Sequence, residues 1–343
     1  MTRLIHLIQS SDPRTGGVIE AVNRLNDEFL KRNFDSKVIC EKRYQIYKND
    51  IIFSHGLWQW PGLKAWQNYN LQGNPYLIFP HGMLDPWFKK NYLIKHLKKQ
   101  LYWFWRQGKI MKDAHAVCFT TDEERNLAQK TFTPYKCNEY VTGLGVTNPS
   151  NDSKLEISSF LSSFPKLKDK RILLYLGRFH PKKGVDLLIK SFLKESNKDD
   201  VLLLAGPLDH GDNFISYLQT LTHNKTQIVW SGMLKGNLKW GALRIADSLI
   251  LPSHQENFGM VIAEALSVGT PVFLTNKVNL WREVIDSNAG FVANDDMDGI
   301  SDLLIKWISK EHLHCINNAE RCFREKLHIS HTVEKIISIL PSN

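Results

Sequence analysis

Short apolar runs alternate with amphipathic stretches in the first part of the chain. The run Arg3–Ile8 has the length of a buried strand, and Val18–Arg32 repeats apolar residues at the period of a helix. The same alternation predicts strands at Ile51–His55, Tyr76–Pro80 and Ala114–Thr120, and a helix at Asp122–Thr131. Strands that alternate with helices are typical of a parallel sheet with helices on its faces.

A polar turn cluster at Asn148–Ser153 interrupts this pattern, and a second alternating series follows it. Its predicted strands are Ile172–Leu176, Val201–Ala205, Ile228–Trp230, Ser248–Leu251 and Pro271–Leu274. Its predicted helices are Val185–Leu193, Phe214–Leu221, Phe258–Val268, Asp298–Ser309, Lys310–Phe323 and Val333–Leu340. We therefore expect an α/β protein of two Rossmann-like, doubly wound domains, comprising residues 1–147 and 148–324.

Length and composition agree with two globular domains. The 343 residues exceed one domain of roughly 150 residues, and 43% apolar with 23% charged residues excludes wholesale disorder. Five cysteines without a CxxC pair make a disulfide framework or a zinc site unexpected. The N-terminal apolar run is too short for a signal peptide, and no run of about 18 apolar residues is available to span a membrane.

The positive charge is concentrated in the first domain. Residues 1–147 hold 21 basic and 13 acidic residues, whereas residues 148–343 hold 23 and 22. Trp87–Lys112 alone contains eight basic residues and no acid. On a helix, Leu93, Leu97, Leu101 and Phe104 would share one side, and Lys95, Lys98, Lys99, Arg106 and Lys109 another. Such a helix can dock on an anionic membrane surface, or pack its apolar side on the core and leave a solvated basic side; the two are compatible.

The segment Gly177-Arg178-Phe179-His180-Pro181-Lys182-Lys183-Gly184 places two cations just after a predicted strand. Ligands of open α/β sheets bind at the carboxyl ends of the strands. A guanidinium at Arg178 beside an ammonium at Lys183 suits a diphosphate, although a solvated basic loop would have the same sequence.

Two glutamates flank the start of a later helix, Glu256 just before it and Glu264 about two turns into it. Carboxylates repel phosphate but accept hydrogen bonds from sugar hydroxyls. Glu256 could instead complement the helix dipole, which would leave Glu264 unexplained. Cations in one loop and hydroxyl-binding acids in another fit a sugar nucleotide.

Together these segments resemble the retaining glycosyltransferases of family 4, whose GT-B fold consists of two Rossmann-like domains facing a central cleft. The motifs that match are the Glu256–Glu264 pair, the Gly177–Gly184 loop, the glycine loop Gly16-Gly17 and the histidine in Pro80-His81-Gly82. They cover nearly the whole chain in the family's order. The resemblance also implies that the last helix, near residues 325–343, packs back on the N-terminal domain.

The resemblance implies a role for each matching position. Arg178 and Lys183 would neutralise the leaving nucleoside diphosphate, Glu264 would hold the ribose, and His81 would reach the donor sugar near the reacting carbon. Glu256 would hold the sugar, and with Arg178, Lys183 and His81 it completes the catalytic set. The other expected donor-binding positions are Gly16, Gly17, Met233, Leu234, Asn257, Phe258, Gly259 and Met260.

No metal or other cofactor is expected. Asp296-Met297-Asp298 spells an Asp-x-Asp motif, but it lies at a predicted helix start, where N-capping by aspartate explains it. Acceptor-side candidates are His55, Trp58 and Asp85, which end or follow N-domain strands. Trp58, Trp60 and Trp87 could stack on sugar rings or be buried in the core.

The expected function is retaining transfer of a hexose to a glycan in bacterial polysaccharide synthesis, on the inner face of the cytoplasmic membrane. UDP-glucose is the first donor candidate, and a GDP-mannose-dependent mannosyltransferase is the alternative. The resemblance implies a glycan acceptor, which in this family is often lipid-linked. Rival functions are a sugar-nucleotide epimerase, a phosphorylase, and a catalytically silent membrane- or glycan-binding scaffold. The absence of G-x-G-x-x-G after the first strand argues against a dehydrogenase, and the two glutamates against a nucleic-acid binder.

Overall fold

The computed structural model describes residues 2–12, 17–149, 152–209 and 211–341, without the side chains of Phe88 and Lys90. The chain forms two compact units. The first comprises Met1–Thr147 and His328–Asn343, and the second comprises Asn148–Leu327. The α/β architecture predicted from the sequence is confirmed in both units.

The first unit is built on a six-stranded parallel sheet of order β2-β1-β3-β4-β5-β6. Its strands are β1 Arg3–Leu7, β2 Asp35–Ile39, β3 Ile51–His55, β4 Tyr76–Phe79, β5 Ala116–Phe119 and β6 Glu139–Val141. Every residue of β3, β4 and β5 is buried. This burial on both faces explains their continuous apolar sequences.

Helices cover both faces of this sheet. They are α1 Val18–Lys31, α2 Trp60–Gln72, α3 Trp87–Asn91, α4 Leu93–Tyr102, α5 Gly108–Lys112, α6 Asp122–Ala128 and, at the end of the chain, α15 Ile329–Ser338. The α15 residues Val333 and Ile336 lie in one hydrophobic cluster with Phe29 of α1. Gly145 permits this return, because a Cβ there would lie 2.4 Å from the Cα of Ile329.

The second unit repeats the design with the strand order β12-β11-β10-β7-β8-β9. Its strands are β7 Arg171–Leu176, β8 Asp200–Ala205, β9 Ile228–Gly232, β10 Ser248–Leu251, β11 Val272–Thr275 and β12 Gly290–Ala293. From β7, the sheet extends through β8 and β9 on one side and through β10, β11 and β12 on the other. The carboxyl ends of β7 and β10 therefore border the switch point where such sheets bind ligands.

Eight α-helices belong to the described part of this unit. They are α7 Ser153–Ser163, α8 Val185–Glu195, α9 Asn213–Leu221, α10 Gly236–Ile245, α11 Met260–Ser267, α12 Trp281–Asp286, α13 Met297–Ile308 and α14 Ile316–Cys322. Aspartates 152, 212 and 296 cap α7, α9 and α13 by accepting backbone N–H bonds.

Several elements differ from the sequence predictions. Strands β2, β6 and β12 and helices α2, α10 and α12 were not expected. Helix α7, which begins at Ser153 where the predicted turn cluster ends, was not expected either, and the single helix expected at Lys310–Phe323 is a 3-10 turn followed by α14. Within the described residues, no helix is long and apolar enough to cross a membrane.

Candidate active site

The basic loop after β7 is held tightly against the loop after β10. Lys183 ends a 3-10 turn and is buried, whereas Arg178 is exposed. Gly184 follows with φ +63°, and a Cβ there would lie 2.1 Å from the carbonyl oxygen of Pro252. The backbone N–H of His254 donates to the carbonyl of Lys182 at 2.8 Å. A glycine is therefore required at position 184 to bring the two loops together.

This contact places a cation beside the first glutamate. The ammonium of Lys183 forms a salt bridge with the Glu256 carboxylate. Burial alone would raise the pKa of Glu256, but the charge and hydrogen bond of Lys183 hold that pKa below its ordinary value. Arg178 has no salt-bridge partner among the residues that the structure describes. Within the described structure its guanidinium is therefore a cation without a charged partner.

The second glutamate is also paired, by a residue that the sequence did not single out. Lys239, in the first turn of α10, donates to the Glu264 carboxylate at 2.9 Å, and Glu264 is 4% exposed. The pairing depends on α10 lying beside α11. The only signal in the sequence is a lysine shortly after the loop Ser231–Leu234.

The expected donor loop is a sharp entry into α11. Gly259 has φ +68° and precedes Met260, the first helical residue. Asn279 donates to the side-chain oxygen of Asn257 at 3.2 Å. Phe258 is buried, so its side chain packs in the core while the helix start leaves backbone N–H groups for an anion.

In the loop after β9, the two expected positions differ in exposure. Met233 is exposed, whereas Leu234 is buried.

His81 lies in a strained turn that a buried carboxylate fixes. It has φ +51° and Gly82 has φ +77°. The carboxylate of Glu124, which is buried, accepts the Gly82 N–H at 2.6 Å and the Thr120 N–H at 2.7 Å. Burial lowers the pKa of His81 to about 4, so its ring is neutral at physiological pH.

The three acceptor-side candidates, His55, Asp85 and Trp58, differ in how the structure places them. His55 is buried, and both of its ring nitrogens bond to other histidines, which does not agree with direct contact to an acceptor. Asp85 accepts the Trp87 N–H at 2.7 Å at the start of α3. Trp58 packs on Phe132, with ring centroids 5.1 Å apart, and stays a prediction as a sugar contact.

The glycine loop is described only in part. Gly16 lies outside the described residues. Gly17 is exposed and has φ −69°, which any residue can adopt, so its expected role remains a prediction.

In the basic segment, the structure disagrees with the alternative in which the predicted apolar side packs on the core. It forms α3, α4, a π-helical turn at Trp103–Gln107 and α5 rather than one regular helix. Among the side chains of this segment that the structure describes, the buried apolar ones are Trp103, Ile110 and Met111. The apolar residues that are exposed instead are Leu93, Ile94, Leu97, Leu101, Phe104 and Trp105, with Leu101 and Phe104 each 74% exposed. We call these six, with the exposed Lys95, Lys98 and Lys109, the basic aromatic face.

The Asp-x-Asp segment has the capping role predicted for it. Asp296 accepts the Gly299 N–H at 2.8 Å and caps α13. Within the described residues, no group of three or more histidines, cysteines or carboxylates has the arrangement of a metal site.

The second half of the chain is similar in sequence to known glycosyltransferases. Residues 159–322 match the family model of glycosyl transferases group 1. An uncharacterized glycosyltransferase of Methanocaldococcus jannaschii is 27% identical over 191 residues, covering 53% of this chain and 47% of the relative. The chain thus spans about half the length of the relatives that it matches in sequence.

Two solved structures resemble the whole chain. Sucrose-phosphate synthase from Thermosynechococcus elongatus superposes with a TM-score of 0.76 at 14% identity, over 99% of this chain and 98% of its own. Anabaena HepE, solved in complex with UDP and glucose, gives a TM-score of 0.76 at 14% identity over 98% of each chain. Residues 159–322 therefore carry the sequence pattern of the group 1 glycosyltransferases, and the fold of the chain is GT-B.

Proposed function

We propose that this protein is a retaining, metal-independent hexosyltransferase that takes its sugar from a nucleoside diphosphate donor. The observation that carries the proposal is the arrangement at the carboxyl edge of the second sheet. Arg178, which has no salt-bridge partner among the residues described, lies on the same loop as Lys183. Lys183 is paired with Glu256, and Glu264 is buried against Lys239. A cationic loop beside one half-buried and one buried carboxylate suits a ligand with a diphosphate in its middle and hydroxyl-bearing groups on either side.

The charged side chains of this site stabilise the leaving group of the proposed reaction. As the bond from the sugar to the diphosphate breaks, negative charge develops on the diphosphate, and the cations Arg178 and Lys183 stabilise that charge. Lys183 must exchange Glu256 for a phosphate oxygen. That exchange frees the Glu256 carboxylate to accept hydrogen bonds from the hexose, while Glu264 accepts those of the ribose. With two cations at the leaving group, this scheme needs no metal ion.

We favour UDP-glucose as the donor. The structural neighbour HepE was solved with UDP and glucose, which supports this choice over GDP-mannose. His81 is assigned to the hexose by resemblance, and its neutral ring suits hydrogen bonding to a hydroxyl rather than to a phosphate.

The basic aromatic face supports an acceptor held at a membrane. Three exposed lysines adjoin six exposed apolar side chains on consecutive helical turns. Each cation near an anionic leaflet contributes about 1 kcal/mol, and the aromatic and aliphatic side chains can enter the interface. We therefore propose peripheral attachment to the cytoplasmic face and a lipid-linked glycan as acceptor, for synthesis of a surface or exported polysaccharide.

Release of nucleoside diphosphate from UDP-glucose or GDP-mannose, without acceptor, tests the enzymatic part. We expect slow hydrolysis of one donor, and a rate about a hundredfold lower in Arg178→Ala. Lys198→Ala removes an exposed cation of the same unit and should keep the wild-type rate. Binding of a donor without turnover, with or without membrane extract as acceptor, would favour the catalytically silent scaffold.

Sedimentation with liposomes tests the membrane part. Lys95, Lys98 and Lys109 changed together to Gln should abolish binding to anionic vesicles at low salt, because three of the cations facing the leaflet are lost. The matched control changes Lys37, Lys42 and Lys48, which are exposed elsewhere in the same unit, and removes the same charge. Equal binding of the two variants would show that the face does not direct attachment.

A further inference from the structure

Three histidine rings form a hydrogen-bonded row across the first sheet. His6 Nδ1 lies 3.0 Å from His55 Nε2, and His55 Nδ1 lies 3.0 Å from His81 Nε2. His6 is in β1, His55 ends β3 and His81 follows β4, and these strands are neighbours in the sheet. The ring centroids are 5.3 Å apart at both steps. The row leads from the interior of the unit to the histidine assigned to the donor sugar.

Burial keeps all three rings neutral. His6 is 0% exposed and burial lowers its pKa to about 3, while the pKa of His55 lies well below its ordinary value because of burial and its two histidine neighbours. A neutral imidazole has one N–H donor and one acceptor nitrogen. His55 therefore donates to one neighbour and accepts from the other, so both bonds point the same way along the row.

The inner end of the row indicates which way they point. Nε2 of His6 is buried and has no hydrogen-bond partner. The rings of Phe53 and Phe29 lie beside this histidine, at centroid distances of 4.7 and 6.0 Å. If each bond were donated toward His6, the proton of His6 would lie on Nε2 as a buried N–H without an acceptor, which is rare in proteins. If each bond is donated away from His6, toward His81, Nε2 of His6 carries only a lone pair. The outward direction puts a proton on Nδ1 of every ring.

We propose that His6 and His55 are positioning residues that hold His81 as the Nδ1–H tautomer, so that it offers the ligand a hydrogen-bond donor and no basic nitrogen. Nδ1 of His81 has no partner among the described residues. Its N–H is thus available to an oxygen atom of the donor sugar. This last step rests on the proposed function, whereas the tautomer itself does not.

Nitrogen-15 spectra of the ligand-free protein, labelled at histidine, test the tautomer directly. The His81 signals are identified by their loss in His81→Gln. At pH 7 we expect a protonated Nδ1 and an unprotonated Nε2 for His81, His55 and His6. Protonation of Nε2 on His81, or a doubly protonated ring, would overturn the proposal. This result does not depend on any enzymatic activity, so it stands apart from failure of the proposed function.

The variant His6→Phe tests whether His6 sets the tautomer of His81 through His55. The ring volume is kept, but His55 loses the donor that fixes its tautomer, so we expect His81 to show a mixture of both tautomers. Turnover should fall roughly 10-fold with unchanged affinity for the nucleoside diphosphate, because the effect is on orientation. His96→Phe removes another buried histidine of the same unit and should leave the His81 signals unchanged. An unchanged His81 tautomer in a folded His6→Phe protein would refute the proposal that His6 fixes it; if that variant does not fold, His6→Leu, which likewise has no donor, takes its place and is judged by the same outcome.

Discussion

Replacing Lys183 by alanine separates the two roles that the structure gives this lysine. It removes a proposed contact to the donor diphosphate, and it leaves the Glu256 carboxylate without its partner. Arg178→Ala removes only the first kind of contact, because Arg178 is exposed and makes no salt bridge in the described part of the chain. The two variants should therefore lose activity alike and differ in stability.

The size of the stability difference follows from the burial of the pair. Breaking a fully buried ion pair costs about 3 to 5 kcal/mol. The side chains of Lys183 and Glu256 are 11% and 23% exposed, so water screens part of the unpaired charge. We expect a loss of about 2 kcal/mol, which corresponds to a fall in Tm of about 4 to 8 °C in a unit of this size. Arg178→Ala should change stability by less than about 0.5 kcal/mol.

Chemical denaturation and donor turnover, measured on the same samples, check both expectations. Both single variants should turn over donor about a hundredfold more slowly, because each removes one charge-assisted contact in the transition state. Adding Glu256→Gln to Lys183→Ala removes the unpaired carboxylate. It should restore at least half of the lost stability and none of the activity.

Two results would refute this reasoning. Wild-type stability of Lys183→Ala would mean that the salt bridge does not hold the two loops together. A double variant less stable than Lys183→Ala would mean that Glu256 is stabilised by contacts other than the lysine charge.

Three further predictions concern other parts of the protein. Lys239→Met should weaken nucleoside diphosphate binding about 10-fold in calorimetry, since Glu264 loses its partner, whereas the exposed Lys235→Met should not. The pKa of His6 is about 3 when folded and ordinary when unfolded, so protons bind the unfolded chain preferentially below pH 6.5. His6 should therefore lower the free energy of unfolding by about 2.5 kcal/mol between pH 8 and about pH 4.5. Urea unfolding at both pH values checks this, and an equal fall in the midpoint for wild type and His6→Phe would contradict it. Turnover should persist in EDTA; loss that manganese or magnesium reverses would show that a metal, not the two cations, stabilises the leaving group.

Strands in the middle of each sheet were predictable from the sequence, whereas three of the four edge strands, β2, β6 and β12, were not. The ranges of β3, Ile51–His55, and β10, Ser248–Leu251, were predicted without error because both strands are buried and read as continuous apolar runs. The edge strands Asp35–Ile39 and Glu139–Val141 are only partly buried and carry polar residues. Their apolar signal is too weak to mark them.

The candidate site was predictable where it follows a strand and hidden where it depends on packing. The order of strand, cations and helix pointed to Arg178 and Lys183. The partner of Glu264, Lys239, is set by which helix packs beside α11, and periodicity does not report that. The same limit applies to Leu101 and Phe104. Helical period placed them on one side, but only the packing of Trp103 and its neighbours into the core shows that this side is exposed.

Thermal unfolding of the wild type and of Glu264→Ala in the presence of UDP, GDP and uridine tests the central claim most directly. A ligand that binds the native state at 100 times its Kd stabilises it by about 2.7 kcal/mol, or roughly 5 to 10 °C in Tm. We predict such a shift with one of the two diphosphates and a much smaller one with uridine, because the cations bind the diphosphate. Glu264→Ala should lose most of the shift. No rise in wild-type Tm with either diphosphate at millimolar concentration, or an equal rise in the variant, would contradict a nucleotide-sugar site at the carboxyl edge of the second sheet.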